Sequence, residues 1–402
     1  KTMKAPSLTI LGLFAVLSLS LADASAQTPL ATGRSALAQQ TPAALEAAHQ
    51  AFKTGLETAP SDTELNFFYA ATLLAREAHT DSFKQQFTSL NATIINPSLY
   101  ELEYSFPLGF ADMFMPAAGA TTDSHLAYLN SKTALIDQAI ASLDKITNEN
   151  FVITLTSAET SLLDTKVDYG DVCLLRAGLH LARAALFLAN SYNISGEYRK
   201  FYDLYAAGNL TPQAVLSTFP ELFNLSATPA QRSDARAQIQ LAHAEWNKAL
   251  AAIKTKRPVS EGSVLGPIGE NDATPFLFAF ESIAAAEVVD AQFDALVLSL
   301  SSQQILPANA SEDFYLEGYK INLSPLVTSS SSLRSLAPTR FDRGFFRPSS
   351  WPDPTLGGIF PDATQDLMND GGNFLFVLQP TVYEPYRFWL LAGTPDVPGY
   401  FE

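Results

Sequence analysis

The chain of 402 residues is 47% hydrophobic and only 16% charged, with 25 Lys plus Arg against 41 Asp plus Glu and a formal net charge of −16. That is enough apolar material for a sizeable core and two or more packed units, so disorder of the whole chain is excluded. A surface of this sign repels phosphate backbones, which argues against nucleic acid as a partner.

Residues 1–26 carry Lys1 and Lys4, an apolar run from Leu8 to Ala22, and then Ala24-Ser25-Ala26. This charged, hydrophobic, small-residue order is that of a secretory signal peptide, with cleavage expected after Ala26 and a bacterial periplasmic or secreted destination. The apolar run falls short of the roughly 20 residues that a permanent membrane helix needs. No other stretch of that length lacks charges or prolines, so the mature chain is predicted to have no transmembrane span. Cys173 is the single cysteine, which leaves no intramolecular disulfide for an exported chain to form. Within Val172-Cys173-Leu174-Leu175 it reads as a small buried residue.

Residues 27–42, with Thr28-Pro29, Gly33 and Gln39-Gln40, read as a linker. Helical periodicity begins after it. Leu45, Ala48, Phe52 and Leu56 recur at three and four residues before Pro60, and Leu65, Phe68, Thr72 and Ala75 do so after Ser61-Asp62. Phe52, Gly55, Pro60 and Ala70 stand where a tetratricopeptide repeat has its aromatic, its small residues and its closing proline, so residues 43–78 resemble one such helical hairpin. Asn66 occupies the repeat's tryptophan position, and no second copy follows at a 34-residue period. The resemblance implies an α-solenoid or helical-hairpin array that binds peptides or proteins on its concave side.

Between Tyr100 and Pro116, the residues Tyr104, Phe106, Phe110, Met113, Phe114 and Met115 crowd a stretch without clear periodicity. Burial between helices is the expectation for most of them, while Tyr104, Phe110 and Phe114 are the candidate contacts for a ligand or partner. One apolar face at helical spacing then marks a helix through Leu126, Leu129, Ile136, Ile140, Leu143 and Ile146. The run from Asp171 to Tyr192 is apolar nearly all round and predicts a central helix covered on most sides. Short helices follow at 197–206 and 212–223, then longer ones through Ile239, Ala242, Trp246, Leu250 and Ile253 and from Phe280 to Leu298, with a loop at 261–275 between them. Of the 24 prolines, 11 lie in residues 305–402, too many for long helices. The predicted class is therefore all-α: antiparallel helical hairpins over 43–304, an α-solenoid or tetratricopeptide-like bundle, with a proline-rich and mostly irregular cap over 305–402.

Arg176, His180 and Arg183 lie four and three residues apart, on one face of the central helix. Such a cationic stripe is a candidate holder for a carboxylate or phosphate, and buried charges of this kind are otherwise paired with acids from neighbouring helices. The string from Trp351 to Asp362 combines rigid prolines with Gly357-Gly358 and places Asp353 and Asp362 as candidate oxygen ligands for calcium. Turn and cap chemistry is the stronger expectation for these aspartates, so no cofactor is expected beyond that calcium site. The chain contains no His-Glu-x-x-His, no Gly-x-Ser-x-Gly, no phosphate-cradling Gly-rich loop and no cysteine cluster, so an enzyme is not the favoured reading. The function favoured is an exported helical-repeat scaffold for protein–protein interaction in the bacterial envelope. A second reading is a binder of carbohydrate or another small ligand in an aromatic-lined helical groove, and a third is a hydrolase without a recognisable signature.

Overall fold

The computed structural model describes residues 28–89, 93–97, 102–105, 120–160, 164–207, 212–226, 229–257, 277–278, 283–301, 304–305, 320–321 and 323–328. Helices make up most of it. The expected signal peptide, the 261–275 loop, nearly all of the proline-rich region, and Phe110, Phe114, Asp353 and Asp362 lie outside the described residues.

The stretch read as a linker is instead a helix, α1 (Pro29–Leu37). Thr28 explains the difference: its side chain accepts from the Ala31 N–H while Pro29, with no N–H to satisfy, takes the first helical position. Gly33 lets α1 approach α2 (Pro42–Thr58), since a Cβ there would lie 2.5 Å from Cζ of Phe52. Thr41 caps α2 and Asp62 caps α3 (Thr63–Ala78) by the same chemistry. Helices α2 and α3 pack through Phe52 and Phe68, whose rings stack with centroids 5.0 Å apart. Asn66 holds the connection, donating from its amide to the Pro60 and Asp62 carbonyls at 3.0 and 2.7 Å. Helix α4 (Asp81–Thr88) follows, then a small antiparallel pair, β1 (Thr93–Pro97) and β2 (Leu102–Ser105).

The single helix expected over 126–146 is two, α5 (Thr122–Ser131) and α6 (Thr133–Leu143), parted at Lys132. There φ is −92° and ψ −2°, and the Lys132 N–H turns to the Leu129 carbonyl, three residues back. Ser142 on α6 donates to the Asn66 carboxamide oxygen at 2.9 Å, joining α6 to α3. A second antiparallel pair, β3 (Val152–Leu155) and β4 (Thr165–Asp168), flanks a single turn, α7 (Ser157–Thr160). Exposed Val152 and Thr154 alternate with buried Ile153 and Leu155, the half-buried strand pattern in its shortest form. Arg34 on α1 clasps Glu159 on α7 through Nε and Nη2 at 2.6 and 2.8 Å.

The central helix α8 (Tyr169–Ser191) forms where expected. By length and composition alone it could cross a membrane, yet Asp171, Val172, Cys173, Arg176, Ala177 and His180 are buried inside the protein. Helices α9 (Tyr198–Ala206) and α10 (Pro212–Thr218) are short, α10 ending well before the expected 223. The longest helix, α11 (Pro229–Lys256), packs antiparallel along α8; α12 (Ile283–Ser299) packs on α11, and β5 (Gln304–Ile305), β6 (Lys320–Ile321) and α13 (Ser324–Thr328) follow. One core cluster joins α1, α2, α3, α6, β3, β4 and the start of α8, and a smaller one gathers Ala184, Ile239, Leu300 and Val327.

Two predictions follow from the α1–α3 core. Gly33→Ala is expected to lower the unfolding free energy by about 1–3 kcal/mol in a urea titration, despite alanine's better helix propensity, because a buried stacked ring occupies the Cβ position. His49 is only 3% exposed, sits 3.0 Å from Thr72 Oγ1, and has its imidazole pKa pulled down to about 4, first by burial and then by nearby Arg76. The unfolded chain then binds a proton that the folded chain refuses between pH 6.5 and 4. This contribution is complete above pH 6.5 and is lost as pH falls towards 4, by roughly 3 kcal/mol in all. A His49→Gln variant should show a pH dependence shallower by that amount, and an unchanged one would refute the assignment.

Candidate functional site

The densest polar chemistry among the described residues runs along the seam between α8 and α11. Its first rung is built at the start of α8. Asp168 accepts from the Asp171 N–H at 3.0 Å and Asp171 accepts from the Asp168 N–H at 2.9 Å, a reciprocal capping box. Arg257, just past the end of α11, closes on both. Its Nε and Nη2 reach the two Asp168 oxygens at 2.8 and 2.7 Å, and Nη2 lies 2.6 Å from Asp171 Oδ1. The Phe278 N–H adds a bond to Asp171 at 3.0 Å, and Arg257 Nη1 donates to the Phe278 carbonyl. Both helix dipoles favour this arrangement, with carboxylates at an N-terminus and a cation at a C-terminus. Gly170 permits the close approach, as a Cβ there would meet Ile253 at 2.7 Å.

Two carboxylates share one guanidinium here, and Asp171 is fully buried. Burial, joined by the like charge of Asp168, pushes the Asp171 carboxyl up against the opposing pull of Arg257. The second rung lies further along α8. Arg176 Nε lies 2.9 Å from Glu245 of α11 and Nη1 3.4 Å from Asp144, while Nη2 donates to Cys173 Sγ at 3.0 Å. Glu245 also holds Lys248 at 2.6 Å. Burial raises the Cys173 thiol pKa against the lowering pull of Arg176, so the sulfur is held as a neutral thiol. The third rung is His180, whose Nδ1 meets Gln238 Oε1 at 2.7 Å.

No family model, curated protein or solved structure matches the chain.

The geometry therefore has to speak through its own residues. Arg176, His180 and Arg183 do share α8, but each faces a partner: Glu245 and Asp144, Gln238, and for Arg183 the Asp137 carboxylate of α6 at 2.8 Å. Tyr104 lies in β2, opposite Ile94 in the register, apart from this seam in sequence and in element. Among the described residues, no three His, Cys, Asp or Glu side chains gather as metal ligands. Sequence reasoning passed over Asp168, Asp171, Glu245 and Arg257. The first two had a signal, since Asp-x-x-Asp directly before a long apolar run is the spacing of a capping box.

The arrangement locks two long antiparallel helices in register. Arg257→Met should leave two buried carboxylates without their cation and cost about 3–5 kcal/mol. Adding Asp168→Asn and Asp171→Asn should recover much of that loss. Denaturant unfolding of Arg257→Met, of the Asp168→Asn/Asp171→Asn double variant and of the triple variant checks both statements, and full additivity of the losses would show that the groups are not coupled.

Proposed function

We propose that the chain is an exported helical scaffold whose antiparallel helical hairpins, closed by the proline-rich region 305–402, present a surface to a protein or peptide partner in the bacterial envelope. The observation that carries this reading is the α2–α3 pair. Phe52 stacks against Phe68, Gly55 lies beneath Leu65 and Pro60 sits in the connection, which supports reading this pair as a tetratricopeptide-like hairpin. Glu46, Gln50, Lys53 and Glu57 line the exposed side of α2 at spacings of three and four. A rigid helix displaying a polar ladder is the kind of surface that peptide-binding helical arrays use. The signal-peptide pattern of residues 1–26 supports export, and the low charge density with no recognisable catalytic signature supports binding over catalysis.

The test is affinity capture by mature residues 27–402 from native envelope and culture supernatant, with the retained proteins identified by mass spectrometry. A specific protein should be recovered reproducibly. Lys53→Glu with Glu57→Lys should cut that recovery at least about tenfold while unfolding stability stays within about 0.5 kcal/mol, as exposed positions allow. Recovery of nothing above background, or recovery indifferent to the charge reversal, would sink the hairpin-surface reading.

A further inference from the structure

The α8–α11 seam has a fourth rung, at the opposite end from Arg257. Arg232, in the first turn of α11, is only 2% exposed and ranks among the largest fully enclosed side chains. Its guanidinium lies near Tyr192, the residue that ends α8. Each earlier rung pairs its charge or polar group within the described residues; this one does not. Among the described residues, Nε and Nη1 of Arg232 have no hydrogen-bond partner and no carboxylate lies in ion-pair range of the guanidinium. The Tyr192 hydroxyl donates to the Leu326 carbonyl at 3.2 Å. At the end of α8, Ser226 donates through N–H and Oγ to the Ser191 and Asn190 carbonyls, and the Asn190 amide and Ser191 hydroxyl donate to Leu186 and Phe187. The Leu186, Phe187, Asn190, Ser191 and Leu326 carbonyls thus each already accept a bond from a donor other than Arg232.

The sign of the helix dipole sharpens the contrast. Arg257 is a cation beside the C-terminal end of α11, where the dipole welcomes it, whereas Arg232 is a cation in that helix's first turn, where the dipole opposes it. A buried guanidinium with unmet N–H groups at the positive end of a 28-residue helix is a site built for negative charge. We propose that Arg232, at the α8–α11 end marked by Tyr192, binds a small oxyanion of the carboxylate or phosphate class. The planar fork of donors suits either, and the near-complete enclosure of the side chain restricts the ligand to a small one. This site is separate from the α2–α3 surface and stands or falls independently of the scaffold reading.

The experiment is thermal unfolding of the full chain in sodium acetate and in sodium phosphate, each against sodium HEPES at equal ionic strength, whose bulky sulfonate serves as the excluded anion. Wild type should melt at least about 2 °C higher in acetate, in phosphate or in both, and which of the two acts identifies the oxyanion. Arg232→Met should lose that rise and should melt no lower than wild type in HEPES, because it removes a buried unpaired charge. Arg236→Met, altering the partly exposed neighbour that contacts Ser301, should keep it. If Arg232→Met does not fold, Arg232→Lys decides, with an expected loss of at least about tenfold in apparent affinity, since lysine lacks the fork. The proposal is overturned by no rise in wild type, by a rise retained in Arg232→Met, by an unchanged affinity in Arg232→Lys, or by a marked drop of Arg232→Met in HEPES, which would mean a partner inside the chain.

Discussion

A single guanidinium sets the relation between the two longest helices. Arg257 grips Asp168 through two bonds and Asp171 through a third contact, and these same aspartates cap each other's N–H groups at the first turn of α8. One cluster therefore starts α8, ends α11, and ties in the segment at 277–278, where the Leu277 N–H extends the edge of β4 by bonding to the Lys166 carbonyl. Removing water from this cluster is costly, and the cost is met only because nearly every lone pair and proton finds a partner. Small residues then let the helices close along their length: Gly170, Ala177 and Ala184 on α8, with Ala235, Ala242 and Ala249 on α11. From α11 the order passes outward to α12, through Trp246 to Asp290 at 2.8 Å, His243 to Asp294 at 2.6 Å and Lys254 to Glu287 at 3.0 Å.

Much of this was legible in the chain. The apolar stripe Ile239, Ala242, Trp246, Leu250 and Ile253 marked α11, and the near-continuous apolar run marked α8 within a residue or two. What the pattern hid was polar. Arg232 and Arg257 continue the same stripe seven and four residues beyond its ends, so helical spacing alone would have predicted their burial; their charge disguised it. The strands β3 and β4 were missed because four residues each give only two turns of alternation, too little to separate from loop. The helix α1 was missed because Thr28-Pro29 and Gly33 were weighed as loop formers, when Thr-Pro is equally a helix start and Gly33 serves close packing on Phe52. The cationic face of Arg176, His180 and Arg183 was visible as a stripe, but which acids meet it depends on Glu245, Asp144 and Asp137 arriving from distant positions, and spacing within one helix cannot carry that information.

The polar rungs have a consequence for uniqueness that apolar packing would not supply. A seam lined by alanines can slide by one helical turn with little loss, because one small residue resembles the next. Here the rungs differ in chemistry: a guanidinium with two carboxylates, a guanidinium with a carboxylate and a thiol, an imidazole with a carboxamide. Sliding by one turn would bring Arg176 away from Glu245 and strand Asp171 without Arg257, leaving buried charges unmet at two places at once. With Cys173 the single cysteine, no cross-link can fix the register, and the charge pattern does so instead. The same logic separates the two ends of the seam. At the Arg257 end, charge and helix dipole agree and the cluster is complete from within the chain. At the Arg232 end they oppose each other, so the negative charge that would balance that rung has to be one that none of the described residues provides.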